Sequence, residues 1–124
     1  MCFVIEKGRE NPHIAPRDIR CYKVMKKVKG GYRSYFQHFK YEKGVVYRKP
    51  FRIKLSEPRH YGDLINVGYH SYRTKEYAMR YCIHHPDDVV VCCVIPKGTL
   101  FFVGELEYVS NGIKIGGIVA DATD

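Results

Sequence analysis

Long apolar runs are absent from the 124-residue chain, and none approaches the ~20 residues that a membrane-spanning helix needs. The first residues reach an acid at Glu6, which is too early for the apolar segment of a signal peptide. The sequence therefore predicts a cytoplasmic protein with no membrane partner.

The cysteine and histidine spacings typical of metal sites are also missing. The five cysteines include no C-x-x-C pair, and the six histidines show no metal-ligand spacing. Cys92 and Cys93 are adjacent in a predicted strand, so their side chains should point to opposite faces. We expect no metal site and reduced cysteines that pack in the core.

Acidic residues are scarce in the first half of the chain. Residues 1–60 contain 16 Lys and Arg against five Asp and Glu, a net charge of +11, whereas residues 61–124 contain five against eight, a net charge of −3. Charge segregated in this way attracts anions, while evenly mixed charge mainly keeps a protein in solution. A phosphate-bearing partner is the resulting prediction.

The length favours a single domain spanning residues 1–124. We divide it into a basic, aromatic-rich half (1–60), a sheet core with a helix (61–118) and a polar tail (119–124). The predicted fold class is α+β: one small β-rich domain with a mostly antiparallel, twisted sheet and one helix over residues 75–82.

Turn residues separate the predicted strands. Residues 18–26 alternate loosely at period two, and Gly30-Gly31 begins a hairpin that returns through the aromatic run 32–41. Residues 45–47 form a further short strand, and 54–64 resemble an exposed loop. Later strands are predicted over 67–72, 100–103 and 113–115.

The second half contains the predicted core. The continuously apolar run Val89–Ile95 is typical of a central strand buried on both faces. Thr74 is placed to cap the predicted helix, whose apolar stripe is Tyr77, Ala78 and Tyr81.

Aromatic and cationic residues are interleaved in the first half. The aromatic residues are Tyr22, Tyr32, Tyr35, Phe36, Phe39, Tyr41, Tyr47 and Phe51, and the cations are Lys23, Lys26, Lys27, Lys29, Arg33, Lys40, Arg48, Lys49, Arg52 and Lys54. This mixture suits a groove in which cations bind phosphates and aromatic rings stack on bases. A second interpretation stays open: the aromatics pack on the core, and the lysines form a solvated face.

His70 is the candidate catalytic or ligand-binding histidine. An imidazole titrates near neutrality and both donates and accepts hydrogen bonds, although packing is the commoner role of a strand histidine. Ser71 beside it lacks the context of a nucleophile elbow. The predicted ligand-binding residues are Arg20, Tyr22, Lys23, Lys26, Arg33, Tyr35, Arg48, His70, Ser71 and Tyr72.

Several segments resemble small uncharacterised proteins of gut bacteria and their phages. The segments are 68–78, 89–99, 19–23 and 110–113, so the resemblance covers most of the chain. It implies a family without an established activity, and a phage-type role such as sequestering a host signalling nucleotide or blocking a host defence component.

The order of these segments is also similar, more distantly, to that of ADP-ribosyltransferases. That resemblance implies Arg20 or Lys23 on the first strand, His70-Ser71 at the serine strand, and Glu105 or Glu107 as the catalytic acid. His70-Ser71-Tyr72 stand where the family has Ser-Thr-Ser. The difference favours a pocket that holds a nucleotide-like ligand over one that transfers ADP-ribose.

Three functional hypotheses follow, and whether the chain is an enzyme stays open. The first, which we favour, is a non-enzymatic binding module for an anionic nucleotide or a nucleic acid, without a cofactor. The second is an ADP-ribosyltransferase-like enzyme that uses NAD, with His70 and Glu105 or Glu107 in its site. The third is an inhibitor whose basic face covers an acidic host protein.

Overall fold

The computed structural model describes residues 3–4, 12–34, 39–50, 52–54, 64–82 and 86–121, with only the backbone described at 3–4, 52–54, 64–67, 81 and 82. Within these ranges the chain forms thirteen strands and one helix. They are β1 (Phe3–Val4), β2 (His13–Ile14), β3 (Ile19–Val28), β4 (Gly31–Arg33), β5 (Lys40–Tyr41), β6 (Val46–Arg48), β7 (Arg52–Lys54), β8 (Leu64–Val67), β9 (Tyr69–Tyr72), α1 (Lys75–Cys82), β10 (Asp88–Ile95), β11 (Leu100–Val103), β12 (Glu107–Ser110) and β13 (Gly112–Asp121).

The strands form two sheets, and every described strand pair is antiparallel. The smaller sheet has the order β1-β8-β7. The larger sheet has the order β2-β11-β12-β9-β3-β10-β13-β6, and β4 and β5 extend it from the end of β3. The predicted fold class, a β-rich α+β domain with a mostly antiparallel sheet and one helix, is confirmed.

Strand β10 lies inside the larger sheet, between β3 and β13. Val90, Val91 and Cys93 are fully buried, and they belong to two different faces of the strand. The prediction that Val89–Ile95 forms the core strand is therefore confirmed. Cys92 and Cys93 point to opposite faces, as expected.

One face of the sheet, which we call the inner face, contains the main hydrophobic core. Its buried members come from β3, β10 and β13 and from the surrounding strands: Ala15, Cys21, Met25, Tyr32, Tyr41, Tyr69, Val89, Val91, Cys93, Ile95, Phe101, Ile113 and Ile115. Because side chains alternate along a strand, the residues between them point to the other face. Arg20 and Lys26, two of the four cations of β3, lie there.

Helix α1 packs on that other face, which we call the helix face. Ala78 is buried against Val90 and Ala120. Thr74 Oγ1 accepts a hydrogen bond from the backbone N–H of Tyr77 at 3.2 Å, so Thr74 caps the helix as predicted. No helix in the described part of the chain is long and apolar enough to cross a membrane.

The predicted strand over 67–72 was wrong in one respect, because the chain changes sheets within it. Leu64–Val67 forms β8 of the smaller sheet, while Tyr69–Tyr72 forms β9 of the larger one. Gly68 separates them with φ of 151°, a conformation that side chains rarely adopt. The glycine allows the break that the apolar pattern alone did not reveal.

Other strand boundaries also differ from the expectations. The hairpin after β3 is confirmed, but its returning strands are short, and residues 35–38 lie outside the described residues. The first and last residues of the loop predicted over 54–64 belong to β7 and β8, and 55–63 lie outside the described residues. The last strand extends from Gly112 to Asp121, beyond the predicted 113–115.

Replacing Val91 with Asp should abolish the native fold. Val91 is fully buried on the inner face, and an unpaired carboxylate there should cost more than about 4 kcal/mol. Circular dichroism and thermal denaturation provide the measurement. V46D is the matched control, since Val46 is 43% exposed on β6; a V91D protein as stable as V46D would contradict the central position of β10.

Candidate functional site

Three cations share one cross-strand row on the hairpin that follows β3. Lys26 on β3 is opposite Arg33 on β4, and Arg33 is opposite Lys40 on β5. Directly opposite residues point to the same face, so all three lie on the helix face. All three are exposed. We call Lys26, Arg33 and Lys40 the hairpin cluster.

The hairpin cluster concentrates positive charge without internal neutralisation. Like charges directly opposite each other on neighbouring strands are destabilising. No ion pair is made by these three side chains within the described ranges. Asp88 is opposite Lys26 on β10, but it is only 1% exposed and does not join the exposed row. The cluster therefore attracts anions from solution.

Gly31 sets how closely the strands of the hairpin approach. A Cβ atom at this position would lie 2.2 Å from the carbonyl oxygen of Tyr41, far inside van der Waals contact. Only a glycine permits β5 to come this near to β4. The position of Lys40 in the row depends on that approach.

The aromatic residues of the hairpin point the other way, into the core. Tyr32 and Tyr41 are 8% and 3% exposed, which matches the core-packing interpretation for these two rings. Phe39, Tyr41 and Tyr47 pack edge to face with centroids 4.8 to 5.6 Å apart. Phe39 is 45% exposed and leaves an aromatic surface at the edge of the hairpin. Tyr35, Phe36 and Phe51 lie outside the described residues.

Lys23 points to the inner face and is not part of the hairpin cluster. Its Nζ donates a hydrogen bond to the carbonyl oxygen of His70 and lies 5.7 Å from the centre of the Tyr41 ring. Burial lowers the pKa of Lys23, and the nearby charge of Lys49 adds to this effect. Burial also raises the pKa of the Cys21 thiol to about 11, so this thiol is protonated and is a poor nucleophile near neutrality.

His70, Ser71 and Tyr72 do not form one site, because the strand alternates. Ser71 is 3% exposed on the inner face and lies near the Cys21 thiol, without a hydrogen bond of normal geometry. Tyr72 points to the helix face, where it and Tyr22 pack beside α1. His70 lies on the same face as Tyr72.

Burial, with the nearby positive charge of Lys23, lowers the pKa of His70 to about 4. The imidazole is therefore neutral at pH 7, and its buried Nδ1 atom has no hydrogen-bond partner in the described part of the chain. A general base works best when its pKa lies near the working pH. His70 in this state is a weak base.

The two candidate catalytic acids lie in different environments. Glu105 is exposed in the turn between β11 and β12, and its carbonyl oxygen accepts a hydrogen bond from Arg73 at 3.1 Å. Glu107 lies on β12 opposite Tyr72, and burial raises its pKa. His70 is the diagonal neighbour of Glu107 at about 7–8 Å. Of the two acids, Glu107 is the one beside His70.

The remaining predicted cations, Arg20 and Arg48, lie at the opposite end of the strands. Arg20 is opposite Val94 on β10, and Arg48 on β6 is opposite Gly112. Both are exposed on the helix face. The ten predicted ligand-binding residues are thus distributed between the hairpin, the inner face, the area around α1 and this far end, with Tyr35 outside the described residues.

Lys114 is a cation that the sequence analysis did not single out. It lies in the acidic half of the chain, but on β13 it is opposite Val94 and therefore lies across β10 from Arg20, two strand spacings away. The apolar–polar–apolar pattern Ile113-Lys114-Ile115 indicated an outward-facing cation. The pairing of β13 with β10 was needed to place it.

No family model, curated protein or solved structure matches the chain. Among the described residues, no three His, Cys, Asp or Glu side chains group together as ligands for a metal ion.

The stability of the protein should fall as the pH is lowered from about 6.5 to about 4. In this range an unfolded chain protonates His70 while the folded protein does not, so protonation favours unfolding. The variant H70Q should lose less stability over the same range in urea denaturation. H13Q, at an exposed position of β2, is the control; equal pH dependence in H70Q and the wild type would contradict the buried neutral imidazole.

Proposed function

We propose that the chain is a non-enzymatic binding module for an anionic ligand that carries phosphates, either a nucleotide-type molecule or a nucleic acid. The observation that supports this proposal most directly is the hairpin cluster. Three exposed cations in one row are unfavourable for the hairpin itself and are favourable once phosphates bind between them.

The size of the row suits a polyphosphate or a nucleic-acid backbone. Neighbouring strands are about 4.8 Å apart, so Lys26 and Lys40 are separated by about 10 Å. Each strand of a duplex carries one phosphate per about 3.4 Å of helix axis, so the row matches two or three consecutive phosphates.

The chemistry of the buried titratable groups favours binding over catalysis. Burial raises the pKa of the thiols of Cys21 and Cys93, and the imidazole of His70 is neutral. These groups support packing better than nucleophilic or acid–base chemistry. The resemblance to small proteins of gut bacteria and their phages suggests a role in sequestering a host signalling nucleotide or blocking a host defence component.

Binding should weaken steeply with salt, and the hairpin cluster should account for part of that dependence. For an anionic oligonucleotide, each phosphate contact contributes about 0.7 to the slope of log affinity against log salt. The triple variant K26Q/R33Q/K40Q should reduce this slope by about 2. Fluorescence anisotropy with a labelled thymidylate dodecamer between about 50 and 200 mM salt measures it.

The triple variant K27Q/K43Q/K97Q is the control, because it removes three exposed charges outside the hairpin cluster. Its slope of log affinity against log salt should stay close to that of the wild type. Equal losses in the two triple variants would make net charge, and not the row, responsible for binding. Absence of binding to the dodecamer and to nucleoside triphosphates would contradict the proposed function.

Incubation of the protein with NAD tests the enzymatic alternative in the same preparation. Consumption of NAD that H70A or E107Q abolishes would replace the binding proposal with an ADP-ribosyltransferase-like activity. Stabilisation by nucleotides or oligonucleotides without turnover is the result that we expect.

A further inference from the structure

A second group of cations lies at the far end of the helix face. Arg20 on β3 and Lys114 on β13 are both opposite Val94, one on each side of β10. On β6, Val46 is directly opposite Lys114, and Arg48 is two residues further along the same strand, which makes it a diagonal neighbour of Lys114. All three are exposed, and none makes an ion pair within the described residues. We call Arg20, Arg48 and Lys114 the edge cluster.

The two clusters are far apart on one surface. Lys26 and Arg20 belong to the same strand and the same face, and they are six residues apart along β3. At 3.3–3.4 Å per residue this spacing is about 20 Å. A mononucleotide is too short to contact both clusters.

Helix α1 lies between the clusters. It packs over the positions of Val24, Val90 and Ala120, which are nearer to Lys26, and beside Tyr22, which is nearer to Arg20. A helix with side chains is about 10–12 Å across, so α1 stands above the sheet as a ridge. A ligand that contacts both clusters has to bend around or over this ridge.

We propose that the ligand is a single-stranded nucleic acid that runs from the hairpin cluster to the edge cluster around α1. This inference rests on the proposed function. At about 3.4 Å per stacked nucleotide, a path of about 20 Å corresponds to about six stacked nucleotides. A duplex is stiff over about 150 base pairs and cannot follow both sides of the ridge without a large bending cost. The exposed cations contact the backbone, so the sequence preference is weak.

The length dependence of binding tests this inference. We expect a thymidylate dodecamer to bind with a steeper salt dependence than a thymidylate trimer, because only the dodecamer reaches both clusters. The variant R48Q/K114Q should reduce the slope for the dodecamer by about 1.4, from about 0.7 for each contact. Between about 50 and 200 mM salt, wild-type affinity should therefore fall about sevenfold more than that of the variant. Affinity for the trimer should be unchanged.

The matched control is R17Q/K97Q, which also removes one Arg and one Lys from exposed positions, but in the turns. It should leave the slope for the dodecamer close to that of the wild type. An equal loss in this control, equal slopes for trimer and dodecamer, or tighter binding of a dodecamer duplex than of the single strand would overturn the inference.

The same measurements distinguish a failure of this inference from a failure of the proposed function. If K26Q/R33Q/K40Q weakens binding of the trimer and of nucleoside triphosphates while R48Q/K114Q changes nothing, the hairpin cluster binds a short ligand and the single-strand path is wrong. If neither oligonucleotides nor nucleotides bind, and an acidic protein binds through the same cations, both the proposed function and this inference are wrong.

Discussion

The continuous pairing of β3 with β10 is the constraint on which the surface chemistry depends. Every residue from Asp88 to Ile95 has a partner on β3, from Lys26 to Ile19. Since the two strands share one register, a single set of residues is buried on the inner face and the alternate set faces α1 and solvent. A slip by one residue would bring Lys26 and Arg20 into the core. The register that buries the core residues therefore also places the cations on the surface.

Burial on the inner face also limits the chemistry there. Lys23 occupies a core position between Cys21 and Met25 and bonds to a backbone carbonyl, with its ammonium group poorly solvated. The same desolvation keeps the thiols of Cys21 and Cys93 protonated, and burial on the other face keeps His70 neutral. The cations of the two clusters on the helix face are exposed to solvent and avoid this cost.

Local sequence patterns were sufficient to predict the fold class, α1 with its Thr74 cap, and the central strand. Each depends on signals within about ten residues. The change of sheet at Gly68 and the full length of β13 depend on which strands pair, which no local pattern contains. Because strand pairing also decides which side chains lie together, the sequence predicted which residue types belong to the site but not which of them are neighbours. Arg33 and Lys26 were named, but their separation from Ser71 and Lys23 follows from alternation in a register that only the fold supplies.

Gly31, a residue without a side chain, determines the distance between β4 and β5 and therefore the position of Lys40 on the surface. Tyr41 can approach β4 only because no Cβ occupies the space beside its carbonyl oxygen. Any larger residue would move β5 outward, and Lys40 would leave the row while every cation remained in the sequence. Affinity for an anion can therefore change without any change in net charge, and Gly31 acts as the spacer that determines charge density on this face.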